Sequence, residues 1–354
     1  MIYISTRLKN ARKMNGFSLD DLSAKLDGAI SKQDLNRFEL DKRLPDGNEI
    51  LLLANALGVP VEYFYKSDII NLENVSFRKL TKLPKKEQEA VKAKTIEYLE
   101  RYLELEEILN VAPKIPFKLH EYNISGNTPA QIHAAANAFR EQFKLGNDPI
   151  YNIIELLEEN GIKVCPTIAD TSFSGMSTSL SSGVMVIVFN DNAGIPMVRK
   201  RFTLLHEVAH LFLNLSGFEE KLAEKICDSF AGAVLLPKDK LFEYFGGKRT
   251  KIFNSELYSI KSYFGISIPA ILYQAKFWGL VSDSYFKYFM INYNKSYVQK
   301  EKEGYAGNEK SERFIQLLLR ATAQEIISLT KAASLNNQKL SEFRKLYAEV
   351  PVHP

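Results

Sequence analysis

Two of the chain's five histidines, His206 and His210, lie four positions apart with Glu207 between them. On a helix that spacing is about one turn, so both imidazoles leave the same face and can reach one ion. Imidazole nitrogens suit zinc at about 2.0–2.1 Å. Glu207 sits beside that face, where its carboxylate can take a proton from a water that zinc acidifies to a pKa of about 7. The surrounding run from Phe202 to Leu213 is apolar nearly all round and reads as a buried helix. Ionisable groups inside such a helix are tolerated when paired or bound to metal. The competing reading is a pair of hydrogen-bonded core histidines, and the intervening glutamate argues against it.

A catalytic zinc needs a third protein ligand and an open fourth position. The next helix contains Glu224-Lys225-Ile226-Cys227-Asp228. Glu224 and Asp228 share one face, which suits a ligand followed by a carboxylate that accepts the outer N–H of a ligating histidine and fixes its tautomer. Asp228 as the ligand itself, or Glu220, remain alternatives from spacing alone. Cys227 reads as a small core residue, because a thiolate ligand there would close the open position. His120 and His133 lie in polar surroundings and read as surface residues, as do Arg199 and Arg201, which could instead hold a substrate carbonyl or carboxylate. His353 falls in the tail.

The elements that must position these groups are mainly helical. Strands are expected at 162–168, 175–178 and 184–190, the last apolar enough to be buried or to offer an edge to a substrate strand. Helices are expected at about 129–143, 149–159, 196–215, 219–236, 255–264, 269–278, 311–333 and 338–349. A linker at 66–83 precedes a long helix from Pro84 to about Asn110. Its apolar residues recur at heptad spacing, which suits packing on the catalytic domain or, as the second choice, pairing with another copy in a homodimer. Its charges run basic first and acidic last, against the helix dipole, so tertiary contacts must hold it. Pro113-Lys114-Ile115-Pro116 marks a boundary. Four regions follow: 1–66, a linker with the long helix at 67–112, a catalytic domain at 113–280, and a helical C-terminal region at 281–354.

Residues 5 to about 65 form a string of short helices, with Ser18 and Ser31 as caps, Asp27-Gly28 as a turn and Gly58 as a stop. Phe17-Ser18-Leu19-Asp20-Asp21-Leu22, Ser31-Lys32-Gln33-Asp34-Leu35-Asn36-Arg37-Phe38-Glu39 and Ala54-Asn55-Ala56-Leu57-Gly58-Val59 resemble the Xre/Cro family of helix-turn-helix domains. The resemblance implies a five-helix domain whose third helix enters the major groove of double-stranded DNA. Lys32, Gln33 and Asn36 carry donors for base edges, while Arg37 and the basic first helix (Arg7, Lys9, Arg12, Lys13) could meet phosphates. Ten Lys or Arg against nine Asp or Glu leave residues 1–66 at +1, so strong non-specific DNA affinity is not expected. The other reading is a module that docks a protein.

Arg201-Phe202-Thr203-Leu204-Leu205-His206-Glu207-Val208-Ala209-His210, with Glu224 to Pro237, resembles the ImmA/IrrE family of metallopeptidases over roughly 127–280. Cys227-Asp228 departs from the alanine-asparagine usual there. The resemblance implies an α+β zincin-like fold of the gluzincin type, with His206, His210 and Glu224 as zinc ligands, Glu207 as the base and Asp228 behind a histidine. It implies cleavage of a partner protein, typically a helix-turn-helix repressor or an antitoxin. The alternatives are a DNA-binding regulator or antitoxin whose peptidase domain only senses a signal, and a scaffold with structural zinc.

Composition bounds these readings. The 354 residues suffice for two or three domains, and 45% apolar with 25% charged residues is a globular balance. No apolar run approaches a membrane span, the first residues lack the apolar stretch of a signal peptide, and two isolated cysteines fit a reduced compartment. A cytoplasmic location is therefore expected. The net charge of +4 does not by itself identify a nucleic-acid partner.

Overall fold

In the computed structural model, residues 4–66, 83–112, 114–294 and 304–348 are described. Most of the expected linker, Pro113 and His353 lie outside them. The chain is mainly helical and divides into two units, Met1–Ala112 with Glu312–Pro354, and Pro113–Ser311.

Short-range signals set the helices of the first unit. These are α1 (Ile4–Met14), α2 (Leu19–Lys25), α3 (Lys32–Glu39) and α4 (Gly47–Leu57), followed by a 3₁₀ turn at Val61–Tyr65. Ser18 and Asp46 both close capping boxes, and Ser31 accepts from the Asp34 amide. Gly58, at φ 67°, ends α4 in the left-handed conformation that glycine adopts without a Cβ clash. Leu8, Leu22, Leu35, Leu53 and Phe64 close a core of their own. The long helix α5 (Lys85–Ile108) follows.

The second unit begins with β1 (Tyr122–Asn123), α6 (Pro129–Gln142) and α7 (Ile153–Glu159). Helix α7 starts later than Pro149, because the Asn152 side chain accepts from the Glu155 amide and sets the cap there. Strands β2 (Lys163–Thr167), β3 (Gly175–Ser179) and β4 (Met185–Asn190) form one sheet in the order β2-β4-β3, parallel between β2 and β4 and antiparallel between β3 and β4. Strand β4 is therefore central and fully buried, not an edge. Helix α8 (Met197–Phe212) carries the histidine pair and runs into β5 (Leu213–Asn214), which pairs with β1. Then come α9 (Glu220–Leu235), α10 (Lys238–Phe245), α11 (Asn254–Phe264), α12 (Ile268–Phe277) and α13 (Asp283–Asn294).

The N-terminal end of α8 is anchored from inside. Arg201 is fully buried and donates to the carbonyls of Ile150 (2.6 Å) and Gly265 (3.0 Å) and to the Glu309 carboxylate. Glu309 also accepts from the first amides of α7, Ile153 at 2.7 Å and Ile154 at 3.2 Å. Burial pushes the Glu309 carboxyl upward against the opposing pull of Arg201.

The chain returns to the first unit as α14 (Arg313–Ala323), α15 (Leu329–Leu335) and α16 (Leu340–Ala348). The helix expected at 311–333 is broken in two, with Glu325 at φ 56° and Ser328 capping the second piece. Tyr102 and Leu105 of α5 pack with Phe314, Leu318 and Ala321, so this helix closes a core with the C-terminal helices of its own unit. Its acidic end is neutralised there: Glu104 pairs with Lys66 (3.1 Å) and Lys331, and Glu106 with Arg313 (3.1 Å).

Two consequences are measurable. Glu309→Ala leaves a buried guanidinium without its carboxylate, which costs about 3–5 kcal/mol; the expected readout is an earlier urea transition followed through Trp278, the single tryptophan. The second concerns Asp21, whose carboxyl is held at about 2 by hydrogen bonds from Ser18 and by Lys86. Its folded value lies below the unfolded one, so this stabilisation is complete above about 3.8 and fades as pH falls towards 2. Ser18→Ala should raise the Asp21 value in an NMR carboxyl titration and shrink that acid-side loss.

Candidate metal centre and DNA-facing helix

Helix α8 turns Leu204, Leu205 and Val208 into the core, and α9 does the same with Ile226, Phe230 and Ala231. Those stripes leave His206 and His210 on one exposed flank of α8 and Glu224 on the facing flank of α9. The His206 Nε2 lies 3.2 Å from the His210 Nε2 and 3.2 Å from one Glu224 oxygen, and the His210 Nε2 lies 3.2 Å from the other. A tetrahedral zinc with bonds of about 2.0–2.1 Å sets its ligand atoms about 3.3 Å apart; with one atom taken from each residue, all three lie within 4.8 Å of one another, close enough to converge on one ion. Among the described residues it is the one group of His, Cys, Asp and Glu so arranged.

The protonation pattern follows from the neighbours. Asp228 Oδ1 lies 2.8 Å from the His206 Nδ1, so the carboxylate accepts the Nδ1 proton and leaves the Nε2 lone pair aimed at the cluster. The cluster is open to solvent, with the His206 side chain 12% exposed, His210 21% and Glu224 41%. That openness suits a catalytic site, whereas structural zinc sites are closed by four protein ligands. Glu220 is not part of the cluster, and Cys227 is buried in the core, away from a ligand role.

Glu207 projects from the same helix but is only 2% exposed. Its Oε2 accepts from the Ser177 hydroxyl on β3 at 2.9 Å. Sequence reasoning missed Ser177, because no motif links two positions thirty apart on a strand and a helix. Gly175 permits the approach: a Cβ there would lie 2.7 Å from Thr203 and 3.0 Å from the Val188 carbonyl. Among the described residues strand β3 has β4 on one side only, an edge of the sheet beside Glu207. Of the two arginines before the motif, Arg199 is exposed while Arg201 is the buried anchor of α8, which corrects its reading as a surface charge. His120 is exposed, but His133 is half-buried with its ring 5.8 Å from that of Trp278.

In the first unit, Lys32, Gln33, Asn36 and Arg37 all stand on the exposed face of α3. Two of their charges are already matched, Lys32 by Asp20 at 2.7 Å and Arg37 by Asp34 at 3.4 Å. Of the four basic residues expected on the first helix to meet phosphates, three are buried or paired. Arg7 is buried against Glu100, Arg12 makes a two-pronged bond to Glu39 (2.6 and 2.7 Å), and Lys13 pairs with Glu89 at 2.5 Å. Lys9 remains exposed.

Comparison with known families bears on both domains. Residues 8–64 match the helix-turn-helix family model, and residues 157–276, which include both arms of the His-His-Glu cluster and Glu207, match the model of the IrrE N-terminal-like domain, a peptidase family. No curated protein matches the chain at a significant level. No helix among the described residues is long and apolar enough to cross a membrane. The chain therefore carries a helix-turn-helix domain followed by a peptidase-like domain similar to the IrrE N-terminal-like family.

Proposed function

We propose that this chain is a zinc-dependent endopeptidase that cleaves a partner protein, a helix-turn-helix repressor or an antitoxin, and thereby controls gene expression in the cytoplasm. The observation that carries the reading is the set of three 3.2 Å separations among His206, His210 and Glu224, with a buried carboxylate alongside. His206, His210 and Glu224 would hold the ion. Zinc bound there supplies Lewis acidity, lowering the pKa of a water and polarising the scissile carbonyl.

The remaining chemistry belongs to the chain. Glu207 takes the proton of the attacking water and delivers it to the leaving amine. The Ser177 hydroxyl on Oε2 fixes the orientation of that carboxylate. Asp228 keeps His206 in the tautomer that presents Nε2. The substrate backbone lies extended along β3, whose outer edge can accept an added strand next to Glu207. Residues 113–280 form the working body of the peptidase in this reading, and residues 1–66 bring it to DNA-bound substrate.

DNA contact in this scheme comes from few groups. The paired charges on α1 and α3 leave base-edge donors, Gln33 and Asn36 above all, as the means of recognition. The alternative, a regulator or antitoxin whose peptidase domain senses without cutting, shares this helix but has no use for a positioned Glu207.

Two experiments separate these readings. Glu207→Gln should retain zinc by elemental analysis yet lose about 10²–10⁴-fold in cleavage of repressors encoded beside the gene, whereas Asp228→Ala should weaken zinc affinity about 10–100-fold. Wild-type cleavage by the Glu207→Gln protein would reject the mechanism. In gel shifts on the chain's own promoter, Asn36→Ala should cost about 1–3 kcal/mol on the specific fragment, with little change on unrelated DNA. Equal losses on both would reassign Asn36 to non-specific contact.

A further inference from the structure

Helix α8 reaches the surface through six residues, Met197, Arg199, Phe202, Thr203, His206 and His210, and buries all its others. Arg199, Thr203, His206 and His210 follow one another at spacings of four, three and four, so they form one stripe along the helix. The histidine pair therefore lies at one end of an accessible floor, and Arg199 lies two turns along it, towards the start of α8.

Both sides of that floor have walls. On one side strand β3 follows the helix. The Ser174 hydroxyl, just before the strand, accepts from Arg199 at 3.4 Å. A Cβ on Gly175 would lie 2.7 Å from Thr203 and 3.3 Å from the Cγ of Glu207, and Ser177 donates to Glu207 at 2.9 Å. The strand thus passes from Arg199 to the buried base without leaving α8. On the other side stands α9. Its Glu224 meets both histidines, its Asp228 meets His206, and its Lys225 and Asp228 share the lining of one hollow with Arg199 and Phe202. A chain laid along the β3 edge, with one peptide bond at the His-His-Glu cluster, must cross Arg199.

The electrostatics at that crossing have one sign. Arg199 is exposed and has no carboxylate partner among the described residues, and the same holds for Lys225. Against these two cations stands Asp228, whose Oδ1 is already engaged by His206. Arg199 also belongs to the first turn of α8, which has no acidic residue, so the positive end of the helix dipole adds to its charge.

We propose that Arg199 is a specificity-determining residue of the peptidase proposed above, and that it selects a substrate with an aspartate or glutamate about three residues from the scissile bond. The distance follows from the helix. Seven residues at 1.5 Å separate Arg199 from His206, about 10 Å, and an extended chain covers that in about three residues at 3.3 Å each. A carboxylate there accepts from the guanidinium. Lysine or arginine at the same place meets like charge.

The inference rests on the metal-centred reading, and its test uses binding in place of turnover. The probes are peptide hydroxamates, whose zinc-binding group fixes the register, titrated calorimetrically into the full, zinc-loaded chain. Two series carry a three-residue arm, running N-terminally in one and C-terminally in the other. The residue farthest from the hydroxamate is aspartate, asparagine or lysine, and the rest are alanine. In one series the aspartate arm should bind about 2- to 5-fold more tightly than the asparagine arm, with lysine weakest, and the advantage should shrink on going from 0.05 to 0.5 M salt. Moving the aspartate next to the hydroxamate should remove it. Arg199→Gln should erase the difference between aspartate and asparagine, and Arg199→Glu should invert the order in favour of lysine, a reversal that a merely structural role would not produce. The glutamate variant also suits the first turn of a helix, so the fold is kept. Equal affinity for all three arms in both series, or an aspartate preference that survives Arg199→Glu, would overturn the assignment and leave the metal centre standing. Failure of every hydroxamate to bind, all-alanine arms included, would overturn the metal-centred reading and the assignment with it.

Discussion

The site depends on how closely α8 approaches α9. Two imidazoles and a carboxylate from different helices can share one ion only if the helix axes are fixed to within a fraction of an ångström. That fixing comes from side chains that never touch the ion. Leu204, Leu205 and Val208 on one helix and Ile226, Phe230 and Ala231 on the other are fully buried, and a close-packed core has few alternative arrangements. Arg201 adds a polar constraint at the start of α8, through two backbone carbonyls and Glu309. The polar flank is thus placed by an apolar interior, with one buried ion pair setting where the helix begins.

The cluster was legible because its chemistry is written locally. The four-residue spacing of His206 and His210 is a statement about one helix face, and so is that of Glu224 and Asp228. Each pair could be read without knowing the fold. Their meeting could not, and the step from two helices to one site came from the family resemblance. Ser177 and Gly175 show the limit. Both act across a sheet-to-helix contact, and such a contact leaves no trace in a short window of sequence. Gln274 and Gly232 are the same case, an amide on α12 that fits only because α9 lacks a side chain at one position.

Element types followed from periodicity and caps, and the misreadings have physical causes. The run from 311 to 333 keeps a helical pattern through Gln324 and Glu325, and the break is visible only in the left-handed backbone at Glu325 and in Ser328 as a new cap. Helix α10 was passed over although Pro237 precedes it and Gly246, at φ 65°, ends it. Strand β4 is too apolar for its neighbours to be inferred, and it proved central. Arg7 and Arg201 read as surface charges because composition predicts exposure for arginine; both are buried with carboxylates that lie far along the chain, Glu100 and Glu309.

That last error bears on how the two domains could cooperate. A helix-turn-helix domain with many unpaired cations would hold any DNA and carry a peptidase everywhere at once. Here Arg12, Lys13, Lys32 and Arg37 have acidic partners, while Lys9, Lys25 and Lys42 stand exposed. Base-edge contacts, unlike phosphate contacts, are short-range and sequence-dependent. The second unit follows the same logic. Its ligand cluster is open, and the β3 edge lies beside the buried carboxylate of Glu207. In both units the polar groups at issue are held in place by hydrogen bonds or ion pairs with neighbours on a second element.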